Sequence, residues 1–377
     1  MSIDVVSPIN FIALEDLSVI YEILIFIHGL FMLQRYFTER TVVMKLPWIF
    51  YQLAIVIFAL IITRSDSAAL GSLDGIKIDK QQSQRNGIDP NGKASIHRPN
   101  NPNTLARAAA ATPSNITYRF YGHSGGYALT GTTKVYVVYY GTWSSTQINI
   151  ISVLISNLGN SSWFNIEKTY YSQLTDTSPK VSVSGSLVLG GSWTLSSSAF
   201  GTALTGNTIP SAFAYYVSVG ALPNDKGGIY LWLSSPEISE SSTVVGGSFL
   251  TDYCGYHYRF SVGNTFYVYG FIGNPKKYIG RGCDPYTINP SISPNGDLGV
   301  DAMASVISHE VVEAMSNPFS NAWGDSNGNE NADKCAWDFG TYYAAPNKGK
   351  YNIYIGGKYY LIQRNWNAKT QACAQSA

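Results

Sequence analysis

The stretch Val300 to Pro318, VDAMASVISHEVVEAMSNP, constrains the fold more than any other part of the chain. Met303, Val306, Ile307, Val311, Ala314 and Met315 recur at three- and four-residue steps, which predicts one amphipathic helix. Asn317-Pro318 supplies its stop. On a helix, residues i and i+4 lie one above the other, so His309 and Glu313 point at one spot. That pair is a two-ligand grip for a divalent metal. Glu310, about 100° further round, would stand beside the metal, placed to take a proton from a bound water. The pattern is the H-E-x-x-H arrangement of zinc peptidases with the second His replaced by Glu. A helix carrying one His and two Glu is also compatible with a plain solvated face. Against that, the surrounding Ala/Val/Ile/Met surface reads as buried, and buried charges need a partner or a metal.

Composition narrows the class. Charged residues make up only 13% of the 377, about half the usual share, while aromatics reach 14% with 27 Tyr. A net charge of +1 argues against a nucleic-acid partner. The four cysteines, Cys254, Cys283, Cys335 and Cys373, all lie in the C-terminal third. Beside an export signal, that even number predicts two disulfides, with three pairings open.

That signal reads as residues 44 to 69. Met44-Lys45-Leu46-Pro47 precedes an apolar run, Trp48 to Ile62, and the small residues Ser65 to Ala69 follow. The run is short for a membrane span, which needs about twenty residues. Residues 1 to 43 then form an N-terminal extension, and Met44 is the expected start. In the alternative, Met1 is the start and the run is an uncleaved signal anchor with Arg35, Arg40 and Lys45 on the cytosolic side. Only then would the protein touch a membrane. Residues 70 to 113 carry Lys, Gln, Asn, Pro and Gly with few large apolar side chains, and read as a disordered linker or pro-region.

The folded domain is expected over 114 to 377. Thr133 to Trp143 is a β-branched and aromatic run, a central strand. Ser144 to Gln147 is a capping box opening a helix with Ile148, Ile151, Leu154, Ile155 and Leu158 on one face. Further strands are predicted at 180–195, 212–219, 228–233, 256–262 and 265–272, and Gly356-Gly357 marks a two-residue hairpin. The fold class is α+β: one strand-rich domain with a few packed helices, one of them carrying the zincin-like motif. Asn115 and Asn160 head N-glycosylation sequons.

Several blocks together resemble the EXORDIUM, or phosphate-induced protein 1, family. They are Tyr121 to Gly126, Val135 to Trp143, Tyr253 to His257, Gly270 to Pro275, Pro294 to Asp301 running into Ser308-His309-Glu310, Asn321 to Trp323, Glu330 to Cys335, and Asn365 to Asn367 with Cys373. They follow in the family's order from about 115 to 377. The resemblance implies a secreted protein of the cell wall or matrix, associated with growth and cell expansion, whose partner is an extracellular protein or glycan. It implies no particular chemistry. The segment Ile279 to Cys283 has one cysteine where the family pattern carries two, so disulfide pairing does not transfer, and the N-terminal extension has no family counterpart. The block Glu330 to Cys335 also adds candidates for the third ligand a zinc site needs, Glu330 or Asp333. They fall about twenty residues past the helix, an interval that resembles the one in glutamate-type zincins. One His and two carboxylates would take zinc first, or manganese or calcium. The enzymatic alternative is a secreted metal-dependent peptidase or hydrolase, with Glu310 moving the proton and His257 or a tyrosine at the oxyanion. In a second alternative, the aromatic residues form a glycan- or protein-binding face.

Overall fold

The computed structural model describes residues 70–76, 95–100, 114–183 and 185–377. The N-terminal extension, the signal segment up to residue 69, and residues 77–94 and 101–113 lie outside the described residues, and with them those expectations. The two short described pieces of the expected linker are not loose. Leu70–Ser72 (β1) and Ser95–His97 (β2) are strands at the two edges of the main sheet.

The other five strands of that sheet are Thr132–Tyr140 (β3), Ser186–Leu195 (β4), Ile229–Ser234 (β5), Gly255–Val262 (β6) and Thr265–Gly273 (β7). Their spatial order is β1-β4-β3-β5-β7-β6-β2. Neighbours from β1 to β7 run parallel, and β6 is antiparallel to both β7 and β2. The expected central strand is central: β3 lies between β4 and β5 and is buried over nearly its whole length. The hairpin at Gly356-Gly357 also forms, with both glycines at positive φ (56° and 76°), as a two-residue turn requires.

Three α-helices pack on the sheet among the described residues. Ser145–Leu158 (α1) carries the predicted capping box and covers β4. Thr208–Ser218 (α2) packs on β6, and Leu298–Ser316 (α3) packs on β6 and β7. Helix α2 corrects the strand expected over 212–219. The alternation of Phe213, Tyr215 and Val217 imitates a strand, but Pro210 sits in the first helical turn, where its missing N–H has no intrahelical acceptor to lose. Burial on the sheet does the rest: Phe213 meets Tyr230, Trp232, Phe260 and Tyr269.

Strand alternation gives the sheet two unlike faces. Under α2 lie Tyr230, Trp232, Tyr256, Phe260, Tyr269 and Phe271, a layer of interlocked aromatic rings. The other face of β6 and β7 presents Gly255, His257 and Gly270, with His257 directly opposite Gly270. Small residues there let α3 approach closely: a methyl group on Gly255 would meet Val306 Cγ1 at 2.7 Å and Glu310 Oε1 at 3.2 Å. The cysteines pair as Cys254–Cys283 and Cys335–Cys373, closing separations of 29 and 38 residues. Each closure restricts the unfolded chain by about 3–4 kcal/mol. Asn115 and Asn160 are both exposed.

Within the aromatic layer, buried Glu240 accepts from Tyr253 Oη at 2.6 Å and Tyr256 Oη at 3.2 Å. Burial pushes its carboxyl up to about 7, although both phenols pull the other way. Between its ordinary value of 4.5 and about 7, the folded chain therefore keeps a proton that the unfolded chain has lost. Stability falls as pH rises through that window, by up to about 3 kcal/mol. Glu240→Gln is expected to remove that slope in urea unfolding measured from pH 4.5 to 7; identical slopes for the two proteins would contradict the assignment.

Candidate metal centre

Helix α3 is enclosed on every side, from Gly299 to Ser316, so it has no solvent face. This corrects the amphipathic reading. Its polar residues meet their needs locally or in the cluster. Ser308 and Ser316 donate to the carbonyls of Ala304 (2.8 Å) and Val312 (3.0 Å), four residues back. Asp297 caps the N-terminus, accepting from the amides of Gly299 and Val300, and is itself bound by Gln147 and Lys276 at 3.0 Å each. Those contacts hold its carboxyl below the usual range against the pull of burial. At the other end, Asn317 accepts from Ala322 N at 2.6 Å and donates to Glu330 Oε1.

The turn from His309 to Glu313 carries the chemistry. As the i,i+4 spacing predicts, Glu313 Oε1 lies 3.0 Å from His309 Nε2. Glu313 Oε2 lies 3.6 Å from Nδ1 of His257, which reaches in from β6. Glu313 therefore spans the two imidazoles. Glu310 Oε2 is 3.3 Å from the same His257 Nδ1. The loop after α3 closes the cluster: Glu330 Oε2 stands 3.7 Å from His257 Nε2, and Asp333 Oδ1 stands 3.6 Å from His309 Nε2. Asp333 also donates its backbone N–H to Glu313 Oε1 at 2.9 Å and accepts one from Glu330 N at 3.1 Å. All the residues singled out on the helix and in that loop thus meet in one place, and His257 joins them.

Two overlapping triplets have ligand atoms close enough to hold one ion: His309, Glu310 and Glu313, and His257, Glu313 and Glu330. Asp333 touches the first without belonging to either. The electrostatics fit an enclosed site. Burial holds Glu310 well above the carboxylate range, although the charge on His309 opposes it. Burial also works against a charge on His309, but Glu313, Asp333 and Glu310 around it lift the imidazole well above its ordinary value. His257 is pushed down to about 4 by burial and by charged His309, against the pull of the Asn317 carbonyl. It is a neutral imidazole, the form that binds metal.

Three participants carried no sequence signal. The Gln363 side-chain amide lies 2.9 Å from His309 Nδ1, and its Nε2 donates to the Ala332 carbonyl at 2.8 Å. His97 of β2 lies against His309 with ring centroids 3.9 Å apart, and Trp337 stacks on the far side of His97 at 4.8 Å. Each sits outside any periodic pattern, and only the tertiary fold brings it in.

Fold and site together define the class: an α+β domain cross-linked by two disulfides, with a histidine–carboxylate cluster built on a fully buried helix. The chain belongs to the phosphate-induced protein 1 family, whose conserved region matches residues 121–376. Two similar proteins come from Arabidopsis thaliana. EXORDIUM-like 5 is 28% identical over 301 residues, covering 69% of this chain and 78% of the relative. EXORDIUM-like 3 is 29% identical over 283 residues, covering 66% and 80%. No solved structure matches the chain significantly.

Proposed function

We propose that this protein is an exported, extracellular member of its family that works at the cell surface or in the surrounding matrix, and that the α3 cluster holds one divalent cation, zinc foremost. The observation that carries the metal is the charge balance. Four carboxyl groups, Glu310, Glu313, Glu330 and Asp333, crowd two imidazoles in a space where His309, Glu310 and Glu313 have no solvent exposure. Ionised carboxylates in such a place are costly without a cation. Two disulfides and exposed sequon asparagines support export. A ladder of tyrosines supports an extracellular partner, protein or glycan. Tyr343, Tyr351, Tyr359 and Tyr354 follow one another at 6.0, 4.7 and 4.6 Å, and the two ends are each 57% exposed.

A second reading, metal-dependent hydrolysis, is favoured by the position of Glu310. It adjoins the His309 ligand, and its carboxyl faces His257 on one side and the His97 backbone on the other. A bound cation would lower the pKa of a water and polarise a carbonyl. Glu310 would take and return the proton, while neutral His257 would steady the developing oxyanion. Whether the site is structural or catalytic turns on an open position for water or substrate.

Elemental mass spectrometry of the exported protein is expected to find close to one equivalent of a divalent metal, lost in a His309→Ala, Glu313→Ala double variant. A folded wild-type protein without metal after incubation with zinc would end the metal reading. For the hydrolase, Glu310→Gln is expected to keep the metal while peptide hydrolysis falls by about a hundredfold or more. Undiminished turnover in that variant would remove Glu310 from the mechanism.

A further inference from the structure

The cluster is covered by a segment from far upstream. Strand β2 adds to the outer edge of β6, pairing His97 with Gly255 and Ile96 with Tyr256. Cys254 N donates to the His97 carbonyl at 2.7 Å, and Asn100 N donates to the Gly282 carbonyl at 2.6 Å. Both anchor points adjoin the Cys254–Cys283 disulfide, so the dock is rigid. It is also shaped for a backbone. Gly282 has φ 102°, and a methyl group on it would come 3.0 Å from Pro99 Cβ. On the other side, Trp337 Nε1 donates to the Arg98 carbonyl at 2.8 Å.

What this docking delivers is the His97 ring. It is fully buried between His309 and Trp337, and neither of its nitrogens has a hydrogen-bond partner among the described residues. Two unmet polar atoms in a buried ring are costly. A phenylalanine or leucine would fill the same space without that cost. The main-chain contacts, by contrast, would accept almost any extended sequence, as strand addition to a sheet edge does.

We propose that the edge of β6 beside the α3 cluster is a groove for an extended polypeptide, and that residues 95–100 are its resident occupant, with His97 plugging the way to the cluster. The proposal rests on the metal reading of the cluster and says what kind of ligand meets it. With the strand in place His309, Glu310 and Glu313 are fully buried. With the strand withdrawn, a free sheet edge runs past His309 and Glu310, ready to pair with another chain.

The test uses the full chain loaded with zinc, beside His97→Ala and His97→Phe variants whose melting temperatures confirm folding. Two quantities are read: the rate of zinc release to excess chelator, and binding of a fluorescent peptide with the sequence of residues 95–100. Removing the plug is expected to speed zinc release about tenfold or more. It is also expected to tighten peptide binding to a similar degree, because the tethered competitor is weakened. His97→Phe, which keeps the ring, is expected to stay near wild type. Equal zinc release from all three proteins, with no peptide binding to His97→Ala, would overturn the proposal. Wild-type protein that holds no zinc would overturn the metal reading instead, and the peptide measurement would still decide the groove.

Discussion

Glu313 is the interaction on which the rest of the site depends. One carboxylate faces both imidazoles, 3.0 Å from His309 and 3.6 Å from His257, and takes a backbone hydrogen bond from Asp333. It thereby joins three separate parts of the chain: the helix, an edge region of the sheet, and the loop that follows the helix. Removing it would leave the fully buried His309 and the backbone N–H of Asp333 without their common partner. Loss of one member of a buried charge network costs more than the pair contributes.

The architecture around Glu313 follows from that demand. A helix with buried charges on its surface needs walls that come close without bulk, and Gly255 and Gly270 provide them on the strands facing Glu310. The aromatic mass of the domain is placed on the opposite face of the sheet, under α2, where close approach is not needed. The disulfides sit at the rim of the cluster. Cys254 adjoins the strand that carries His257, and Cys335 lies two residues beyond Asp333. Cross-links so placed hold the loop donors near the helix.

Much of this was legible in the sequence because it rests on short-range periodicity. The step from His309 to Glu313 is a property of any helix, and Ala, Val, Ile and Met around it mark burial. The strand Thr132–Tyr140 and the Gly356-Gly357 turn are equally local. Glu330 and Asp333 came into view only through the family's block order, since no helical or strand period ties them to His309. His97 and Gln363 were invisible. They act through pairing and packing with residues far away in the chain, and a polar stretch such as 95–100 looks like linker until an edge strand is there to receive it. The misread helix α2 shows the opposite failure: local alternation was present but was outweighed by burial against the aromatic face.

The central claim is that the crowded carboxylates exist to hold a cation. Its most direct test is anomalous diffraction from crystals of the protein, collected on both sides of the zinc absorption edge. The account predicts a single strong anomalous peak within bonding distance of His309 and Glu313, with a further ligand from His257, Glu310, Glu330 or Asp333. A well-ordered cluster with no anomalous peak, in crystals grown with zinc, would contradict it and leave His309, Glu310 and Glu313 as a proton-sharing network inside the core.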